Sequence, residues 1–124
     1  MTEEMSLEIP VDAVYAVTAR RFIVTATRAL GLPDGTVEDL RLAASELVAN
    51  AVESGAPGPI RFALVPDGSE VSLDVSGIGT LSDEPPISRR ALLEGLFDAE
   101  HLVQDPIVRI RVPAALDPPG AGEA

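Results

Sequence analysis

The chain contains no cysteine, so disulfides and thiolate metal sites are excluded, and a reducing cytoplasm suits it. It has no tryptophan, and aromatic residues make up only 3% of it, which argues against stacking platforms for bases or sugars. No apolar run reaches the roughly 20 residues that span a bilayer. The N-terminal "MTEEMSLEIP" is acidic where a secretory signal is basic. A soluble cytoplasmic protein with no membrane association is expected. Basic residues are also scarce: nine Lys and Arg against 20 Asp and Glu leave a formal net charge of −11. That sign repels a phosphate backbone and disfavours direct nucleic-acid binding, while it favours encounter with a basic protein. Charge of this kind also serves solubility, so by itself it names no partner.

What is present fits one compact domain. The 124 residues are 46% hydrophobic, enough for one core and too few for two ordinary domains. We assign residues 1–116 to that domain and read "DPPGAGEA" (117–124) as a disordered tail. "SLEI" (6–9) reads as a short strand stopped by Pro10. Asp12 is placed to cap a helix running to about Leu30, whose apolar face takes Tyr15, Ala16, Ala19, Phe22, Ile23, Ala26 and Leu30. After the turn "GLPDG" (31–35), Thr36 and Asp39 approximate a capping box for a second helix. It reaches about Ser54 and buries Leu40, Ala43, Leu47 and Ala51, while Glu46, Asn50 and Glu53 fall on another face. "IRFALV" (60–65), the turn "PDGS" (66–69) and "EVSLDVS" (70–76) form a hairpin with Phe62, Leu64, Val71, Leu73 and Val75 toward one side. The stretch 77–87 is irregular because two glycines and a Pro-Pro pair interrupt it. Ser88 caps a third helix to about Phe97, and "IVRIRV" (107–112) is a last strand with Arg109 and Arg111 outward. The expected fold is therefore α+β, a two-layer sandwich of a mainly antiparallel sheet with helices on one face.

Within the second helix, Glu46 and Asn50 lie one turn apart on one face. Taken alone, such a pair suits a solvated helix surface as well as a site.

The stretch "LEIPVDAVYAVTARRFIVTATRALGLPDGTVEDLRLAASELVANAVESG" (7–55) resembles the N-terminal half of the bacterial anti-sigma factor and serine-protein kinase family, within the GHKL (histidine-kinase-like) ATPase superfamily. The likeness rests on an E-L-x-x-N-A box, here "ELVANA" (46–51), followed after a hairpin by a glycine box, here "VSGIG" (75–79). The resemblance implies the histidine-kinase-like ATPase fold, Mg-ATP as cofactor, Asn50 as the magnesium ligand and Glu46 as general base toward a serine of a substrate protein. It places Gly77 and Gly79 at the nucleotide, with position 75 at the adenine. It implies a sigma factor or an anti-anti-sigma protein as partner, and a homodimer as the common assembly.

The chain departs from that pattern in two places. The family has an aspartate two residues before the first glycine of its glycine box, where it accepts from the adenine amino group; here that residue is Val75. Asp74 is adjacent, but in a strand a one-residue offset turns the side chain to the opposite face unless a bulge intervenes. The family also has a flexible lid and a second glycine-rich turn that cradles phosphates. Between Gly79 and Pro119 the one glycine is Gly95, and "TLSDEPPI" (80–87) is a short, acidic, proline-stiffened lid. Gly77 and Gly79 then read first as a tight turn, His101 as an isolated histidine, and Arg89 with Arg90 as a solvated pair opposing a helix dipole. Two functions follow: an anti-sigma-factor-like regulator that binds a protein partner with weakened or lost nucleotide binding, or an active ATP-dependent protein serine kinase.

Overall fold

The structure, a computed structural model, describes residues 4–81, 88–97, 102–103 and 107–114. The lid stretch 82–87, His101 and the tail 117–124 lie outside the described residues. Strand β1 (Met5–Ile9) leads through a 3-10 turn (Ala13–Tyr15) into helix α1 (Ala16–Ala29). Helix α2 (Asp34–Ser54), strands β2 (Ile60–Asp67) and β3 (Glu70–Ser76), helix α3 (Arg89–Leu96) and strands β4 (Leu102–Val103) and β5 (Val108–Pro113) follow. The architecture is α+β: among the described residues, three helices and an open five-stranded sheet in the order β1-β2-β3-β5-β4, all of whose neighbours pair antiparallel.

The register explains the core. Leu7 pairs with Phe62, Phe62 with Val75 and Val75 with Val108, while Leu64, Leu73 and Ile110 form the next row. Side chains alternate faces along a strand, so these rows make one apolar face. Phe62, Leu64, Leu73, Val75, Val108 and Ile110 are all buried in one cluster with Ile23, Leu40, Ala43 and Leu47 from the helices. The helices therefore cover one face of the sheet. The opposite face is polar and pairs its charges: Arg61 with Glu4, and Asp74 with Arg109.

Local chemistry sets the element ends. Gly55 closes α2 in the left-handed conformation, at φ 67° and ψ 33°, which glycine adopts without steric penalty. The Ser88 hydroxyl accepts from the Ala91 amide over 3.0 Å and caps α3 as its position suggests. Three expectations change. Asp12 does act as a cap, accepting from the Val14 amide, but for the 3-10 turn rather than for α1. Tyr15 lies in that turn and is 37% exposed, so it is not part of the buried stripe of α1. Helix α2 begins at Asp34, two residues before Thr36, because Pro33 in extended conformation serves as the N-cap; the Thr36–Asp39 box falls inside the helix. Strand β4 is an addition: its two residues are too few for a periodic signal. No helix among the described residues is long and apolar enough to cross a membrane.

Candidate functional site

The site is built where the middle and end of α2 meet the turn after β3. Asn50, on a different face of α2 from Leu40, Ala43 and Leu47 by helical spacing, is nonetheless 1% exposed. Its side-chain Nδ2 donates to the Ile78 carbonyl over 3.1 Å and to the Thr80 carbonyl over 2.9 Å. The Ser54 hydroxyl, one turn further on, also donates to the Ile78 carbonyl at 3.1 Å. Ile78 and Leu81, each 4% exposed, sink into the core on either side of this contact. A buried carbonyl without a donor is costly, so these bonds hold the irregular segment on α2 where no strand ladder is available.

Gly77 and Gly79 shape the same turn. Their φ values are 81° and 76°, in the left-handed region. A Cβ on Gly77 would collide with the Pro59 carbonyl oxygen, and one on Gly79 would come within 2.5 Å of the Ser54 hydroxyl oxygen. Both glycines are therefore required by the close approach of this turn to its neighbours.

Glu46 sits one turn before Asn50, partly exposed, and its Oε1 accepts from Arg89 Nε over 3.0 Å. Arg89 also forks onto Glu53, with Nη1 at 2.6 Å from Oε1 and Nη2 at 3.0 Å from Oε2. Arg89 is thus not a solvated cation: its side chain is 16% exposed and joins the start of α3 to two carboxylates of α2. The hydrogen bond from Arg89 and its positive charge hold the Glu53 carboxyl below its ordinary pKa. The same bonds keep the Arg89 guanidinium more firmly protonated, hydrogen bonding to Glu53 contributing most. Sequence reading missed this residue. Two carboxylates seven residues apart on one helix face do ask for a cation, but nothing local says which arginine answers.

Val75 is 0% exposed and faces the helix layer. Asp74 turns to the other face of the sheet without a bulge. It accepts from Arg109 Nε at 2.8 Å and Nη2 at 3.0 Å, and from the Ser72 hydroxyl at 2.6 Å. Asp74 therefore does not stand in for a carboxylate at position 75.

Asn50 and a double-glycine turn meet, with Glu46 one turn away on α2, and residues 9–121 match the family of the histidine kinase-like ATPase domain. The chain belongs to that family. Comparison with the curated proteins found no match. The match covers strands β2 to β5 and the last residue of β1, together with the three described helices. Histidine kinase-like ATPase domains generally bind Mg-ATP. In this member of the family, Asn50 and the glycine turn are brought together, Glu46 is brought to Arg89, and Asp74 is left on the far side of the sheet.

Proposed function

We propose that the chain is an anti-sigma-factor-like regulator of transcription that acts by binding a protein partner, with magnesium nucleotide binding weakened or lost. The observation that carries this reading is Val75, whose side chain is wholly enclosed by the core where the family's pattern has an adenine-binding carboxylate. A valine there accepts no hydrogen bond, and the amino group of an adenine brought against it would lose its water without replacement. That loss is worth about 1–3 kcal/mol.

The neighbouring groups do not fit Mg-ATP as they are arranged. Magnesium keeps several waters and needs an accessible hard oxygen, whereas Asn50 is 1% exposed and its amide is oriented by two backbone carbonyls. A general base must reach the proton it removes, whereas the Glu46 carboxylate is occupied by Arg89. A net charge of −11 supports a partner with basic segments, such as a sigma factor, through complementary potentials, and an anti-anti-sigma protein is the other partner the resemblance implies.

Calorimetric titration with Mg-ATP and Mg-ADP tests the nucleotide half: the expected Kd is weaker than about 1 mM. Saturable micromolar binding would favour the protein serine kinase, the reading supported by Glu46 and Asn50 lying one turn apart. Gel filtration with each recombinant sigma factor and anti-anti-sigma protein of the source organism tests the other half, and co-elution with none of them would remove the regulator.

A further inference from the structure

We infer that Arg89 is a positioning residue, a tethered cation that latches the start of α3 onto α2 and holds this end of the domain closed without a nucleotide. Three observations combine. The guanidinium makes three hydrogen bonds to two carboxylates, one single to Glu46 and one forked to Glu53. Bidentate arginine–carboxylate geometry of this kind is the strong, directional form of an ion pair. Arg89 is also the first residue of α3, where a positive charge opposes the helix dipole. The helix therefore gains nothing locally from an arginine at this position; its compensation lies across the gap on α2. Finally, α3 is short, eight residues, with Leu93 its one fully buried side chain and Phe97 just beyond it at 8% exposure. Isolated helices of that length are marginal in water. Leu93 and Phe97 anchor its middle and end, and Arg89 anchors its start.

The latch also gives Glu46 and Glu53 a shared partner. Two carboxylates on one helix face would repel each other and attract a cation, and the guanidinium supplies that charge from within the chain. A partner or solute meeting this end of the domain then finds a pinned surface on which one guanidinium offsets one of the two carboxylate charges. The inference rests on the geometry of Arg89 and holds whether or not the partner is a sigma factor.

Hydrogen exchange resolved by peptide, on the full chain, is the test. In the parent, α3 amides should be protected without nucleotide. Arg89→Gln should raise their exchange at least tenfold and leave β2 and β3 unchanged. Glu53→Gln should do the same in part, the double variant should be no worse than Arg89→Gln alone, and Arg89→Lys should recover only part of the protection because an ammonium lacks the fork. Carbon-13 titration of the Glu53 carboxyl should move upward in Arg89→Gln, a change that loss of packing alone would not bring. Unchanged α3 exchange in Arg89→Gln and Glu53→Gln would overturn the latch, as would protection of α3 in the parent appearing only on addition of Mg-ATP. Micromolar nucleotide binding by the parent, with α3 protection still dependent on Arg89, would defeat the preceding proposal and leave the latch standing.

Discussion

Asn50 Nδ2 lies 3.1 Å from the Ile78 carbonyl oxygen, and this bond joins the buried middle of α2 to the glycine turn that follows β3. The residue types at both ends are those of a nucleotide-binding family, but the contact itself is structural. It satisfies backbone that the turn removes from the sheet, and with Ser54 it gives the Ile78 carbonyl two donors.

Asn50→Ala should therefore destabilise the domain whether or not a nucleotide is ever bound. Removing the side chain leaves the Thr80 carbonyl without this donor and Ile78 with Ser54 alone. A loss of about 1–3 kcal/mol is expected from urea unfolding. Asn50→Asp should be worse at neutral pH than at acidic pH, because an ionised carboxylate faces two carbonyls and can donate to neither. A variant as stable as the parent would mean that the turn does not depend on this bond.

Gly77→Ala and Gly55→Ala separate conformational strain from collision. Both glycines have positive φ, 81° and 67°, but a Cβ on Gly55 meets nothing within 4 Å whereas one on Gly77 collides with backbone at Pro59. The left-handed conformation costs a non-glycine residue about 1–2 kcal/mol. Gly55→Ala should lose that amount, and Gly77→Ala should lose more because the obstructing atom is main chain. Equal melting temperatures for the two variants would refute the close approach.

Val75→Asp should not restore nucleotide binding. It adds an acceptor at the adenine position, but it buries an unpaired carboxylate in a fully enclosed apolar site, which raises its pKa and lowers stability. Glu46 would remain paired with Arg89. The variant should melt below the parent with and without Mg-ATP. Stabilisation of the variant alone by the nucleotide would show that position 75 is the one broken part of the site.

Asp74 sets an acid limit on stability. Burial pushes its carboxyl pKa up, but hydrogen bonds from Arg109 and Ser72 and the charges of Arg109 and Arg111 together outweigh it, so the pKa lies below the ordinary value. A carboxyl whose pKa is lower in the folded than in the unfolded chain adds stability above its unfolded pKa and loses it as pH falls through the folded one. The contribution of Asp74 should thus be complete above the unfolded pKa of about 3.9 and decline at more acidic pH. Asp74→Asn should flatten that part of the stability curve, measured as the urea midpoint against pH. An identical acid decline in the variant would assign it to other carboxyls.

Much of this architecture was written locally in the sequence. The alternation of Phe62, Leu64, Leu73 and Val75 reports which side of a strand is apolar, and strand parity alone sends Asp74 away from Val75. Gly55, Ser88 and Pro10 mark element ends because their backbone and capping preferences act within a few residues. The spacing of Glu46 and Asn50 is equally local, as is the pairing of an E-L-x-x-N-A box with a glycine box. What those two polar residues touch is not local. Asn50 is buried because a turn 28 residues later folds over it, and Glu46 is paired because Arg89 arrives from 43 residues away. Helical periodicity assigns a residue to a face; only the tertiary path of the chain decides whether that face meets water, a carbonyl or a guanidinium, because the energy of a polar group depends on what surrounds it in space.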